Sequence, residues 1–129
     1  MDYQVKGLNN LSKQFNQFVK KAGFDNNDVP LRIALIHSEV SEAFEAFRKD
    51  VFAKLNRSEK NVLDGWVEDE KFKDHFKTKV KDSFEDEIAD SIIRLLDLCG
   101  KLDIDIEFHI QQKMRYNETR EFKYSGKKF

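Results

Sequence analysis

Residues 84–100, FEDEIADSIIRLLDLCG, decide the fold class of this chain. Apolar side chains recur in this stretch at steps of three and four, which is the spacing of one face of a helix. That face comprises Phe84, Ile88, Ile92, Leu95, Leu96 and Cys99. Acidic residues lie on its flank. The pattern predicts an amphipathic helix that ends at Gly100, because glycine commonly follows the last helical turn.

Three further helical patterns flank this stretch. One runs from Val5 to Ala22, one from Pro30 into the middle fifties, and a shorter one begins at about Asp103. A single proline and five glycines interrupt the chain, so long helices are permitted. Four helices in 129 residues predict one all-α domain over residues 1–129, with a four-helix-bundle-like fold.

Two segments do not follow these patterns. Residues 56–79 are rich in Lys, Asp and Glu, and we expect a mobile charged connection there that contains at most a short helix and could act as a lid. Residues 119–129 form a basic tail, which we expect to be irregular.

Composition and charge exclude several classes of protein. The net charge of −1 and the pI near 6.3 argue against a stable nucleic-acid partner. The single cysteine, Cys99, excludes an internal disulfide framework and a multi-cysteine zinc site. No apolar run approaches 18 residues and no signal-peptide pattern opens the chain, so we expect a cytoplasmic protein without a membrane segment.

The second helical pattern is apolar on two sides. One side carries Val40, Ala43, Phe44, Phe47 and Val51, and the other carries Leu31, Leu35 and Ala46. A helix that is apolar on two sides must be covered on both. One short chain of four helices leaves a side uncovered, which predicts a homodimer or homotetramer.

Two pairs of acids have the same helical spacing. Glu39 and Glu42 lie three residues apart beside the second apolar side, and Glu87 and Asp90 repeat that spacing on the flank of the 84–100 face. If the two helices pack side by side, four carboxylates converge, and their repulsion favours a bound cation. Oxygen ligands suit Mg²⁺, and Mn²⁺ would also fit.

Two other interpretations of these acids exist. They could form an ordinary solvated face, with Arg94 pairing with the acids of its own helix. Di-iron sites in helical bundles use Glu-x-x-His motifs. No glutamate in this sequence is followed by a histidine three residues later, which argues against di-iron chemistry.

A polar stripe lies near the C-terminus. Lys113, Asn117 and Arg120 follow one another at steps of four and three, so they share one side of a helix. Two cations and an amide suit phosphate oxygens. The neighbouring Tyr116 could stack on a base or pack in a core. Cations near a helix C-terminus also stabilise the helix dipole, so a purely structural role is open.

Three segments in this order resemble the MazG-like all-α nucleoside-triphosphate pyrophosphatases: EVSE at 39–42, EIADSIIRLLDL at 87–98 and KMRYNETR at 113–120. That superfamily includes dimeric dUTPases and dCTP pyrophosphatases. The resemblance covers the chain from about Leu31 to its end and implies a MazG fold. The interval from Glu42 to Glu87 is longer than in compact members of the family.

The resemblance implies a Mg²⁺-dependent hydrolase that cleaves between the α- and β-phosphates. Its metal-binding and catalytic residues would be Glu39, Glu42, Glu87 and Asp90. Its phosphate-binding residues would be Lys113, Asn117 and Arg120, and Tyr116 and Trp66 would contact the nucleotide. House-cleaning of unwanted nucleotides and control of a normal pool are both open roles. A dedicated dUTPase or dCTPase is one alternative, and a non-catalytic helical binding module is another.

Overall fold

A computed structural model describes residues 3–24, 26–65 and 68–120. Within these ranges the chain contains helices and no strands, which confirms the all-α class. The helices are α1 (Leu8–Lys21), α2 (Val29–Arg48), α3 (Arg57–Asp64), α4 (Asp69–Lys79), α5 (Phe84–Lys101) and α6 (Ile106–Glu118). None of the helices in the described ranges is long and apolar enough to cross a bilayer.

Helix α2 begins where its sequence predicts and ends earlier. The Asp28 side chain accepts a hydrogen bond from the Leu31 amide at 3.0 Å, which satisfies one of the free donors at the helix start. The predicted continuation into the middle fifties is wrong, because Asp50 adopts a left-handed conformation with φ 58°. The turn lets Phe52 pack against Phe47 and Phe84, with ring centroids 6.0 and 5.5 Å away.

The charged segment 56–79 holds two helices, so the described residues form six helices, whereas the sequence predicts four. Helix α3 starts with a capping box, in which Asn56 and Glu59 each accept a hydrogen bond from the other's backbone amide. Lys79 at the end of α4 forms an ion pair with Glu59 at 3.1 Å. These local bonds explain how a segment with few apolar residues forms helices.

Helix α5 continues through Gly100 to Lys101, so the predicted stop at Gly100 is wrong. A Cβ atom at this position would overlap the carbonyl oxygen of Ser12 on α1. Glycine therefore allows the backbones of the two helices to approach each other here.

Contacts within the chain form two compact units. The first comprises Met1–Asp25 and Leu96–Phe129, and the second comprises Asn26–Leu95. In the first unit Asn9 joins the starts of α1 and α6: its amide donates to Glu107 Oε2 at 2.7 Å, and its side chain donates to Asp105 Oδ1 at 2.8 Å. Both predicted acid pairs belong to the second unit. One domain over residues 1–129 stays a prediction.

Candidate metal centre

Three of the four predicted acids meet in the second unit. One carboxylate oxygen from each of Glu39, Glu42 and Glu87 lies within 4.8 Å of the other two. We call this set the carboxylate cluster. The first two residues lie on α2 and share a face because of their three-residue spacing, whereas Glu87 comes from the first turn of α5. Three negative groups at this separation repel one another unless a proton or a cation lies between them.

The start of α5 is attached to the end of α2, which brings Glu87 to the other two acids. The Phe84 amide donates to the Val51 carbonyl oxygen at 2.8 Å. The Phe84 ring also lies against Phe47, with centroids 5.9 Å apart. The contacts of Phe84 with Val51 and Phe47 thus position Glu87, which follows Phe84 by three residues.

Glu87 is the buried member of the carboxylate cluster. Its exposed fraction is 6%, and its Oε2 atom has no hydrogen-bond partner among the described residues. Burial, reinforced by contact with Glu42 and Glu39, raises the pKa of Glu87 to about 8. Without a cation, Glu87 therefore holds a proton at neutral pH. A divalent ion would remove the repulsion and would supply the missing partner of Oε2.

Glu39 is held from outside the carboxylate cluster by Arg94. The Arg94 Nε atom donates to Glu39 Oε1 at 2.9 Å, and this ion pair joins α5 to α2. In the described chain no ion pair joins Arg94 to Glu87 or to Asp90, so the interpretation of ion pairs within one helix does not account for these acids.

Asp90 is close to the carboxylate cluster without belonging to it. No oxygen of Asp90 lies within 4.8 Å of all three oxygens of the cluster. Burial first, and then the charges of Asp86 and Glu39, raise the pKa of Asp90, while Arg94 lowers it. Asp90 thus interacts electrostatically with the acids of the cluster. Its role as a metal ligand stays a prediction.

A second acidic group, which sequence reasoning missed, shares Glu87. Oxygens of Asp82, Asp86 and Glu87 also lie within 4.8 Å of one another. Helix capping accounts for part of this group, since Asp86 Oδ2 accepts from the Asp82 amide at 2.9 Å and the Asp86 amide donates to Ser83 Oγ at 3.2 Å. The Ser-x-x-Asp spacing at 83–86 is the sequence signal for this cap.

An open cavity of about 290 Å³ lies beside both acidic groups in the second unit. Glu42 and Glu87 line it, as does Asp82, and Lys49 is the one cation among the residues that border it. The remaining lining residues are Glu45, Ala46 and Val51. The cavity leaves Glu42 and Glu87 accessible to a small ion from this side.

The predicted phosphate-binding stripe belongs to the first unit. Lys113 Nζ lies 5.1 Å from the centroid of the Tyr116 ring, and Arg120 Cζ lies 5.9 Å from it, so both cations adjoin an exposed aromatic face. The side-chain oxygen of Asn117 is buried and has no partner within the described residues. Trp66 lies outside the residues that the structure describes, as does the tail beyond Arg120.

The donor set of the carboxylate cluster fits a hard divalent cation. It offers carboxylate oxygens only, which Mg²⁺ and Mn²⁺ prefer, and it includes one buried oxygen without a partner. The family resemblance rests on the three quoted sequence segments. No protein-family model, no curated protein and no solved structure matches this chain.

Proposed function

We propose that this protein is a Mg²⁺-dependent nucleoside-triphosphate pyrophosphohydrolase, which releases a nucleoside monophosphate and pyrophosphate. The observation that carries the proposal is the carboxylate cluster, in which the buried oxygen of Glu87 lacks a partner. Structural acids are ordinarily buried against donors, so a buried acid that faces two other acids favours a cation site. The resemblance of the three sequence segments supplies the substrate class and the bond that is cleaved.

Glu39, Glu42 and Glu87 would hold the ion, and the resemblance adds Asp90. When bound, Mg²⁺ neutralises charge that develops on the phosphate oxygens. Glu87 must lose its proton to become a ligand, and its raised pKa makes that step dependent on pH. The exposed side of the cluster, where Glu42 borders the cavity, would admit the phosphates.

The proposed reaction is an attack of water on the α-phosphorus. A carboxylate accepts the proton of the water, the bond from the α-phosphorus to the bridging oxygen breaks, and pyrophosphate leaves. Glu39 is our candidate for this base or for a further ligand. The resemblance, and not a contact in the structure, assigns phosphate binding to Lys113, Asn117 and Arg120 and a nucleoside contact to Tyr116.

We also propose that the protein is a homodimer or homotetramer. On α2, the side chains of Val40, Phe44 and Phe47 are 53%, 64% and 58% exposed, and on α5 Ile92 and Leu95 are about half exposed. Apolar surface at this density marks a protein–protein contact more often than a free surface. Sedimentation at micromolar concentration should show an oligomer, and a monomer would contradict this proposal.

A panel assay tests the activity. The protein is incubated with Mg²⁺ and each of the common and modified nucleoside triphosphates, and the products are separated. We expect equal amounts of monophosphate and pyrophosphate from at least one nucleotide. A strong preference for dUTP or dCTP would identify a dedicated enzyme. Orthophosphate as the sole phosphate product, or no turnover of any nucleotide, would contradict the proposal.

A matched pair of variants tests the metal assignment. Glu42→Gln should abolish turnover while unfolding stays cooperative, because it removes one charge of the carboxylate cluster. Glu45→Gln is the control and should keep its turnover. Glu45 lies one turn later on α2 beside the same cavity, but its oxygens contact Arg48 and Lys49 and do not belong to the carboxylate cluster. Equal activity in the two variants would refute the assignment of Glu42.

A further inference from the structure

Arg94 on α5 directly contacts a member of the carboxylate cluster. Its Nε atom donates to Glu39 Oε1 at 2.9 Å. The side chain of Glu39 is 13% exposed, whereas that of Arg94 is 42% exposed. The acid is thus largely enclosed, whereas the arginine side chain that contacts it remains accessible to a ligand in solution.

The guanidinium of Arg94 is only partly used by this ion pair. An arginine side chain offers five N–H donors in a planar fork, and the bond to Glu39 engages Nε. No bond in the described chain engages its terminal nitrogens. Arg48 differs, because both its Nε and its Nη2 contact the same carboxylate, that of Glu45, at 3.1 and 3.4 Å. Arg48 is committed to its partner, whereas Arg94 is anchored at one nitrogen and has free donors.

A phosphate group would complete this arrangement. Glu39 would help to hold the ion, and the ion would attract the anionic phosphates of a substrate. The guanidinium that already contacts Glu39 would then lie on the same side of the carboxylate cluster as those phosphates. Planar, bidentate donation makes arginine well suited to phosphate.

We propose that Arg94 binds the phosphate chain of the substrate and that Glu39 holds its guanidinium in position for this contact. The inference rests on the proposed function, since it takes the carboxylate cluster as the metal site. It adds a phosphate-binding residue on α5, in the same compact unit as the acids. The family resemblance places phosphate contacts only on the stripe of the first unit.

The test measures binding rather than turnover, with inorganic triphosphate as a probe that carries no base. Calorimetry at saturating Mg²⁺ compares the wild type, Arg94→Met, Arg94→Lys and the control Arg48→Met. We expect Arg94→Met to weaken binding of the probe about tenfold or more, as expected for the loss of charge-assisted hydrogen bonds. Arg94→Lys should recover part of the affinity, and Arg48→Met should bind as the wild type does.

A separate titration with Mg²⁺ alone distinguishes phosphate binding from mere support of Glu39. If Arg94 only positioned Glu39, Arg94→Met would weaken Mg²⁺ binding and leave the affinity for triphosphate at saturating Mg²⁺ unchanged. That result, or triphosphate affinity within about twofold of the wild type, would overturn the inference. If the wild type turns over nucleotides while Arg94→Met keeps its triphosphate affinity, only the inference fails. If the wild type turns over none, the proposed function fails first.

Discussion

Two buried carboxylates lie ten residues apart on α5, and their surroundings differ. Asp97 is 8% exposed, and its Oδ1 accepts a hydrogen bond at 3.0 Å from the side-chain amide of Asn16 on α1. Glu87 is 6% exposed, has an oxygen without a partner, and faces Glu39 and Glu42. Burial is nearly the same at both sites, whereas one acid faces a donor and the other faces two acids.

The chemistry of the partner, and not burial, separates a structural acid from a candidate ligand. Asp97 accepts a hydrogen bond from a neutral side-chain amide, which offsets part of the cost of burying a polar group. Glu87 is surrounded by groups that can only accept hydrogen bonds when they are ionised. It therefore needs either a proton, which its raised pKa provides, or a cation.

The largest expected effect is on turnover. Glu87→Gln keeps the size of the side chain and removes its charge. Loss of a residue that only supports a metal ligand typically lowers activity about 10–100-fold. Because Glu87 is proposed as a ligand itself, we expect Mg²⁺-dependent turnover to fall by more than that. Asp97→Asn keeps an acceptor for Asn16 and should retain activity within a few-fold of the wild type. Equal losses in the two variants, measured at saturating Mg²⁺, would remove the distinction between the two acids.

The next effect concerns the pH dependence of stability. Glu87 has a folded pKa of about 8, above the ordinary value of 4.5, so its contribution to stability is complete below pH 4.5 and is lost as pH rises through 8. For one proton the free energy of unfolding falls by up to about 1.4 kcal/mol per pH unit across this window. Urea unfolding of the metal-free protein should show this decline, and Glu87→Gln should flatten it. A parallel decline in both proteins would show that another group is responsible.

Removal of Asp97 should affect stability without affecting the metal site. Asp97→Ala leaves the buried side-chain amide of Asn16 without this acceptor, which should cost about 1–3 kcal/mol of unfolding free energy. Denaturant titration measures the change. The Mg²⁺ affinity of the variant should equal that of the wild type, and a weakened affinity would mean that Asp97 supports the metal site.

The sequence predicts α5 because the apolar residues from Phe84 to Cys99 repeat at helical spacing. It does not predict the structural role of Gly100, because this glycine leaves room for the backbone of Ser12, which is distant in sequence. For the segment that holds α3 and α4, the sequence predicts at most one short helix. The apolar pattern misses α3 because capping bonds, and not an apolar stripe, support this helix.

For the candidate site, too, the sequence predicts which residues share a helix face but not which helices contact each other. Helical spacing placed Glu39 beside Glu42 and placed Glu87 on the flank of α5, and the structure brings these three together. The contact between Arg94 and Glu39 joins residues 55 positions apart, so no pattern within one helix could indicate it. The position of Asp90 outside the cluster likewise depends on how the chain brings Glu87 to α2.

A calorimetric titration of Mg²⁺ into the metal-free protein at pH 7, repeated in two buffers of different ionisation enthalpy, shows whether Glu87 is a metal ligand. Because Glu87 holds a proton before the ion binds, we expect binding with release of about one proton per protein chain. We expect Glu87→Gln to release none. Absence of Mg²⁺ binding by the wild type, or the same proton release from Glu87→Gln, would contradict the assignment of Glu87 as a metal ligand.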